Sequence, residues 1–439
     1  MLIVKLRGSF FDQTDKRLLS AAVPVFFTLI AEPVYILVDT AIVGRISTAA
    51  LGGLALAGSV MIALTWICGF LATGLTTQVA QRLGAGDRDG AETAFAQGVW
   101  LAGALSIVAT IIVELAGPLM LEGLGGEREV LKNAETYLRI SGFGIPAILF
   151  SLLALGWLRG SSNFRTPLVV AVVASITNVI LEVLFVYGFD WGISGSAWGT
   201  VAVQWAAVLW LLRIVKGNVR LQRLRFGELR GLLAIGGAML VRTGAMVATI
   251  IGATSVATRA GKLTLASHQV ATQTFTFLAL AIDALAISTQ TLFAEEMGRG
   301  DATTLRSTAR RLVRLGVIAG LLIGLVLAVV SPWLPGLFSP DVAVQNSAQV
   351  ALLLLALMQV SGAFVFTLDG ILMGANKFAQ LAAVAVAGGC AFAVVVSLRT
   401  IVPGSRIAQV WIGMNVWMVV RAIGNALIAH RFFRRAKAL

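Results

Sequence analysis

The sequence predicts an all-α membrane protein: twelve transmembrane helices in two pseudo-symmetric six-helix lobes around a central cavity. Three observations point there. Apolar residues make up 58% of the 439-residue chain and charged residues 13%, about half the share of a soluble protein, with a mean hydropathy of +0.90. The apolar residues fall into runs of about 20, the length that crosses a bilayer. Landmarks in the first half recur at a constant spacing in the second.

The first run, 17–44, is long and contains Pro24 and Pro33. Each proline removes a backbone donor and permits a bend, so both are expected hinge positions. The length of this run, and an acid within it, mark a retained helix rather than a cleaved leader. The second run, 50–78, is also long; 93–115 and 134–157 follow. The fifth and sixth, 166–188 and 194–215, are joined by a short loop without Lys or Arg. A basic segment, 213–230, then links an N-terminal lobe, 1–212, to a C-terminal lobe, 231–439. The seventh and eighth runs, 228–255 and 263–292, are long like the first two and are expected to tilt or to project. Runs 308–331, 346–372, 378–400 and 408–433 complete the set.

The formal net charge of +13 would suggest nucleic acid in a soluble protein. Here the cations collect between apolar runs: Lys5, Arg7, Lys16 and Arg17; Arg213 to Arg230; Arg299 to Arg314; and Arg431 to Lys437. With twelve helices all four groups lie on one side, which the positive-inside rule makes cytoplasmic, together with both termini. No nucleic-acid partner is expected. Cys68 and Cys390 offer no disulfide framework, and His268 and His430 form no metal motif.

Ala80–Asp87 matches Ala294–Asp301, a shift of 301 − 87 = 214. The same shift pairs Arg45 with Arg259, Pro118 with Pro332, Gly160 with Gly374 and Phe164 with Phe378. Six helices per repeat keep both lobes in one orientation, as parallel repeats about an axis along the membrane normal.

Asp39 is the residue most out of place. A carboxylate at membrane depth costs roughly 2.5–3.5 kcal/mol on insertion scales, and it persists where it faces protein or water and has a role. Its repeat partner is Ala253, so the scaffold alone does not demand an acid. Tyr35 and Asp39 share a helix face at i, i+4, and Glu32 lies on the same side. The fifth run carries Asn178 and Glu182, again i, i+4; the sixth carries Thr200 and Gln204. At about 1.5 Å per residue, Asp39, Glu182 and Thr200 come out at one depth, so the three helices are expected to meet in one pocket. Two acids there repel, and one is expected to hold a proton near neutral pH. The same oxygens suit Na⁺, so Asp39, Asn178, Glu182 and Thr200 remain open to it. Glu32 and Gln204 are assigned to the substrate cavity.

In the second lobe Arg242, Asp283 and Asp369 lie within apolar runs. An unpaired guanidinium there is as costly as an unpaired acid, so a buried network with Arg242 between the two acids is expected. Its role is read as structural. Glu114 and Arg421 are expected near helix ends, reaching the interface.

Several segments resemble one family. Asp15-Lys16-Arg17-Leu18-Leu19 with Pro24, then Pro33 and Asp39-Thr40-Ala41-Ile42-Val43-Gly44-Arg45, is similar to the opening of MATE (multidrug and toxic compound extrusion) transporters, and most like their DinF-type branch. Leu265-Ala266-Ser267-His268-Gln269-Val270, Asp283 to Ile287, Asp369 to Ala375 and Arg242-Thr243 carry the likeness through the chain. The resemblance implies export of amphipathic, often cationic compounds in exchange for H⁺ or Na⁺. It also implies a coupling cluster at Tyr35, Asp39, Asn178, Glu182 and Thr200, with Glu182 departing from the family's Asp by one methylene. The seventh run has no acid, unlike the NorM-type branch.

The expected function is therefore a proton-coupled antiporter working by alternating access, a monomer in a bacterial inner membrane, with small-molecule substrates, surrounding lipid and no cofactor. The alternative is a flippase for lipids or oligosaccharide-lipids, which should show a basic cavity open to the bilayer. No nucleophile–base pair, metal cluster or phosphate loop suggests an enzyme.

Overall fold

The computed structural model describes residues 13–216, 222–398 and 405–435. Residues 217–221 of the basic linker, together with Lys5, Arg7 and Lys437, lie outside the described residues. Among the described residues there is no strand. The α-helices are α1 (Gln13–Val43), α2 (Thr48–Cys68), α3 (Phe70–Gly84), α4 (Arg88–Leu124), α5 (Arg128–Gly142), α6 (Ile145–Gly160), α7 (Arg165–Val183), α8 (Gly192–Lys216), α9 (Phe226–Arg259), α10 (Lys262–Arg299), α11 (Ala302–Val330), α12 (Val342–Gly374), α13 (Phe378–Ser397) and α14 (Arg406–Arg435).

Their lengths and apolarity give eleven candidate spans, and twelve when α5 and α6, bent by 52° across Phe143 and Gly144, count as one. α2 and α3 are two parts of one span that meet at Gly69, and a single π-turn, Leu184–Gly188, extends α7. The helices outrun the apolar runs because hydropathy marks bilayer depth, whereas helical hydrogen bonding continues into the polar zone. α4 starts at Arg88, five residues before its run, because the Asp87 carboxylate accepts the Gly90 N–H at 2.8 Å and caps the turn.

The repeat is visible in the backbone. Gly86 and Gly300 take φ of 76° and 78°, and Ser162 and Asn376 take 58° and 57°. Asp301 caps α11 as Asp87 caps α4. Gly156 and Gly370 let helices touch: an added Cβ would stand 2.9 Å from the Ala72 carbonyl oxygen in one half and 2.4 Å from that of Ala286 in the other. The two contacted residues are themselves 286 − 72 = 214 apart. The halves part at the shared proline: α4 runs through Pro118, whereas α11 ends before Pro332.

Two compact units result. One holds residues 24–236; the other holds 237–435 with 13–23. The chain passes between them inside α1, at Val23–Pro24, and inside α9, at Gly236–Gly237. In the second unit the start of α1 is tied down by Arg17 to Glu295 at 2.6 Å and by Arg314 to Asp15 at 3.4 Å.

Candidate functional site

The site in the 24–236 unit is built where α8 packs against α7 and its π-turn. Gly195 and Gly199, i and i+4, make that approach possible. A Cβ on Gly195 would stand 2.8 Å from the carbonyl carbon and oxygen of Phe185, and one on Gly199 3.4 Å from the Glu182 nitrogen. The residue after each glycine carries a hydroxyl, so Ser196 and Thr200 project side by side towards α1 and α7.

Ser196 Oγ donates to Asp39 Oδ1 at 2.7 Å. Tyr35 and Thr200 share a hydroxyl hydrogen bond of 2.9 Å, and Asn178 Nδ2 donates to Thr200 Oγ1 at 3.3 Å. Glu182 is fully buried beside Asp39 and Ser196, and among the described residues no donor stands within hydrogen-bond geometry of its carboxyl oxygens. Asn178 Oδ1 is likewise unpartnered. Asp39 is 5% exposed. Tyr187 donates to the Ile42 carbonyl at 2.8 Å and so fixes the end of α1 to the π-turn.

These groups border a cavity of about 300 Å³ whose wall includes Glu32, Tyr35, Asp39, Tyr137, Thr200 and Gln204. Glu32 is exposed, whereas Gln204 is half-buried and lies over Gly144, its Oε1 only 2.1 Å from where a Cβ would sit. Pro24 and Pro33 stay inside a helix that is continuous from Gln13 to Val43. The hydroxyl of Thr28 bonds the Pro24 carbonyl at 2.8 Å.

Two residues of this site escape a reading by charge. Ser196 lies four residues before Thr200, so helical spacing is the one signal that points to it. Tyr137, 5% exposed, stands by Asp39, Glu182, Thr200 and Ser196. It is one of three tyrosines in the chain, and all three, Tyr35, Tyr137 and Tyr187, gather around α1.

In the other unit the centre of the charge network is Asp369. Its Oδ2 accepts from Arg242 at 2.6 Å and from Arg421 at 2.7 Å, and its Oδ1 accepts from Asn425 at 2.6 Å. The expected pairing of Arg242 with Asp369 is present, and Arg421 joins it as a second arginine on the same carboxylate. Asp283 is half-buried on α10. The placement of Arg421 near the interface is corrected: it is 1% exposed, with its guanidinium 5.1 Å from the Trp417 ring centre. The twelfth span continues to Arg435, which leaves Arg421 in mid-helix. Glu114 is half-buried, close over Gly142.

A bundle of two repeated bilayer-spanning units, one holding a buried acid pair beside a cavity, is a polytopic membrane protein of the transporter kind. The family model MatE matches residues 24–184 and 239–398, and the chain belongs to this family of multidrug and toxic compound efflux transporters. The two matched stretches begin 239 − 24 = 215 and end 398 − 184 = 214 residues apart, the register of the repeat. The chain is 29% identical over 442 residues to DNA damage-inducible protein F of Escherichia coli (strain K12), covering 97% of this chain and 94% of the relative. It is 28% identical to the chloroplastic protein DETOXIFICATION 44 of Arabidopsis thaliana, over 93% of this chain and 81% of that one. A crystal structure of a MATE in the bent conformation superposes with a TM-score of 0.90 at 19% identity, covering 97% of both chains, and shows the same fold.

Proposed function

We propose that this efflux transporter is a proton-coupled antiporter that exports amphipathic, often cationic small molecules by alternating access. The observation that carries the reading is the burial of Asp39 and Glu182 side by side within a single repeat. Two carboxyls that share a buried site repel when both are ionised, so a proton or a cation between them is favoured, and the pair is suited to exchanging one. Ser196 orients Asp39, while Tyr35, Asn178 and Thr200 can hydrogen-bond either protonation state. Glu32, exposed on the cavity wall, gives the pocket a negative entrance suited to a cation. Pro24 and Pro33 supply positions at which α1 can bend as it carries Asp39 between states. Asp369, whose carboxylate is held by Arg242, Arg421 and Asn425, is assigned with them to stability.

Sodium coupling is the second reading. It is favoured by the unpartnered Asn178 Oδ1 and Glu182 oxygens, which are hard oxygen donors. The distribution of Lys and Arg between the spans supports a cytoplasmic location for both termini. We place the protein as a monomer in a bacterial inner membrane.

The test is transport by purified protein in liposomes under separately imposed H⁺ and Na⁺ gradients, with a fluorescent organic cation as cargo. Export driven by ΔpH at zero sodium supports the proton reading. Export that needs a sodium gradient and ignores ΔpH supports the second. No cation movement under either gradient overturns both.

A further inference from the structure

A second cavity lies wholly in the other unit, between α9 and α13. Its volume is about 740 Å³. Along α9 it runs from Val241 to Arg259, 18 residues or roughly 27 Å at 1.5 Å per residue, close to the hydrocarbon thickness of a bilayer. Small side chains make the groove: Gly244, Ala248 and Gly252 on one wall, Gly389 and Ala393 on the other. Phe392 and Val396 of its lining stand at the positions equivalent to Asn178 and Glu182, so the repeat that lacks the acid pair has a greasy channel beside those positions.

Among the described residues the groove carries charge at one end only; Thr249, midway along its α9 wall, donates its hydroxyl to the Ala245 carbonyl at 2.8 Å. Ser255, Arg259 and Ser397 lie where α9 and α13 both finish, and among the described residues no acid lines it. Arg259 is exposed and makes no ion pair among the described residues. The other large apolar grooves differ. Neither the one between α10 and α11, about 560 Å³, nor the one between α2 and α4, about 660 Å³, has a charged residue in its lining. Loose contact with acyl chains explains those two. A bilayer-length apolar slot that ends on an unpaired guanidinium and two hydroxyls matches a molecule with the same polarity.

We propose that the α9–α13 groove is a binding site for an anionic glycerophospholipid, with an acyl chain between the helices and the phosphate on Arg259. The guanidinium suits phosphate because its planar fork offers two parallel donors. The lipid covers the groove side of α9, where Val241 is 53% exposed. This site is separate from the Asp39 pocket and does not depend on which ion drives transport.

The test is native mass spectrometry of the detergent-purified full chain, titrated with phosphatidylglycerol and, separately, phosphatidylcholine. Wild-type protein is expected to retain one phosphatidylglycerol in preference to phosphatidylcholine. Arg259→Gln should weaken that retention by about fivefold, the effect of one basic residue at a lipid surface, and Arg259→Lys should restore part of it. Gly244→Leu fills the groove and should abolish retention; no atom lies within 4 Å of its added Cβ, so the fold is expected to accept it. Melting curves of each lipid-free variant provide the check on folding. Equal retention of both lipids, or phosphatidylglycerol retention unchanged in folded Arg259→Gln and Gly244→Leu, overturns the proposal.

Discussion

Asp39 and Ala253 occupy equivalent positions of the two repeats, 253 − 39 = 214 residues apart, and both are buried, at 5% and 1% exposure. The same shift carries Asn178 to Phe392, Ser196 to Val410, Thr200 to Met414 and Tyr137 to Ala351. Those four partners, with Ala253, belong to one hydrophobic core cluster. A single scaffold therefore packs as a polar, titratable pocket in one half and as a greasy core in the other. Packing works without the carboxylates, so their presence in one repeat marks a role other than holding helices together.

Asp39→Asn is the sharpest consequence. The amide keeps the shape and still accepts the Ser196 hydroxyl, so stability should change by no more than about 1 kcal/mol. Gradient-driven export should fall to the background of empty liposomes. Wild-type export rates in this variant would show that the carboxyl carries no coupled proton or cation.

The glycine contact that seats the site should be intolerant. Gly195→Ala places a Cβ 2.8 Å from the Phe185 carbonyl, which forces α8 away from the π-turn and should cost roughly 1–3 kcal/mol. It should also reduce export more than its loss of stability explains, because Ser196 moves with α8. Thermal melting in detergent, read beside export by the folded fraction, decides. An unchanged melt refutes the contact.

The fold and the acids of the site are legible in the amino-acid sequence. Twelve apolar runs and a 214-residue register define the fold because bilayer thickness and repetition leave direct marks on sequence. Asp39, Glu182 and Arg242 stand out because charge within an apolar run is expensive. Ser196 and Tyr137 are not legible, since hydroxyls are cheap in a membrane and occur throughout helices without consequence. Arg421 misleads for a different reason. Its helix gathers Arg431, Arg434 and Arg435 at the end, and grouping Arg421 with them overlooks that it stands 431 − 421 = 10 residues before the first of them, in mid-helix.

The Asp369 network should respond to the order in which charges are removed. Asp369→Leu alone leaves Arg242 and the 1%-exposed Arg421 without their shared acid, and should cost about 3–5 kcal/mol. Adding Arg421→Met to that variant removes one stranded cation and should restore part of the loss. A double-mutant cycle by thermal melting measures it. If the double variant is less stable than Asp369→Leu, the two residues are not coupled as a buried pair.

Outside the spans, the cap of α11 should make stability depend on acid. Asp301, at the start of α11, accepts the Thr303 N–H at 2.9 Å and the Thr303 hydroxyl at 2.7 Å, and the Thr304 hydroxyl as well. These donors, the Thr304 hydroxyl first, hold its carboxyl down to about 2 from an ordinary 3.8. A carboxyl depressed on folding contributes stability that is complete above the unfolded value and vanishes as pH falls through the folded one. The cap should therefore stabilise α11 fully at neutral pH and weaken between about pH 4 and 2. Asp301→Asn keeps a capping acceptor but does not titrate there, so the difference in melting temperature between wild type and variant should shrink as the pH drops through that window. Because Asp301 is fully exposed, the difference should also be smaller at high salt. A difference that stays constant from neutral pH to about pH 2 would mean that folding does not depress the Asp301 carboxyl and that the threonine donors do not favour its ionised form.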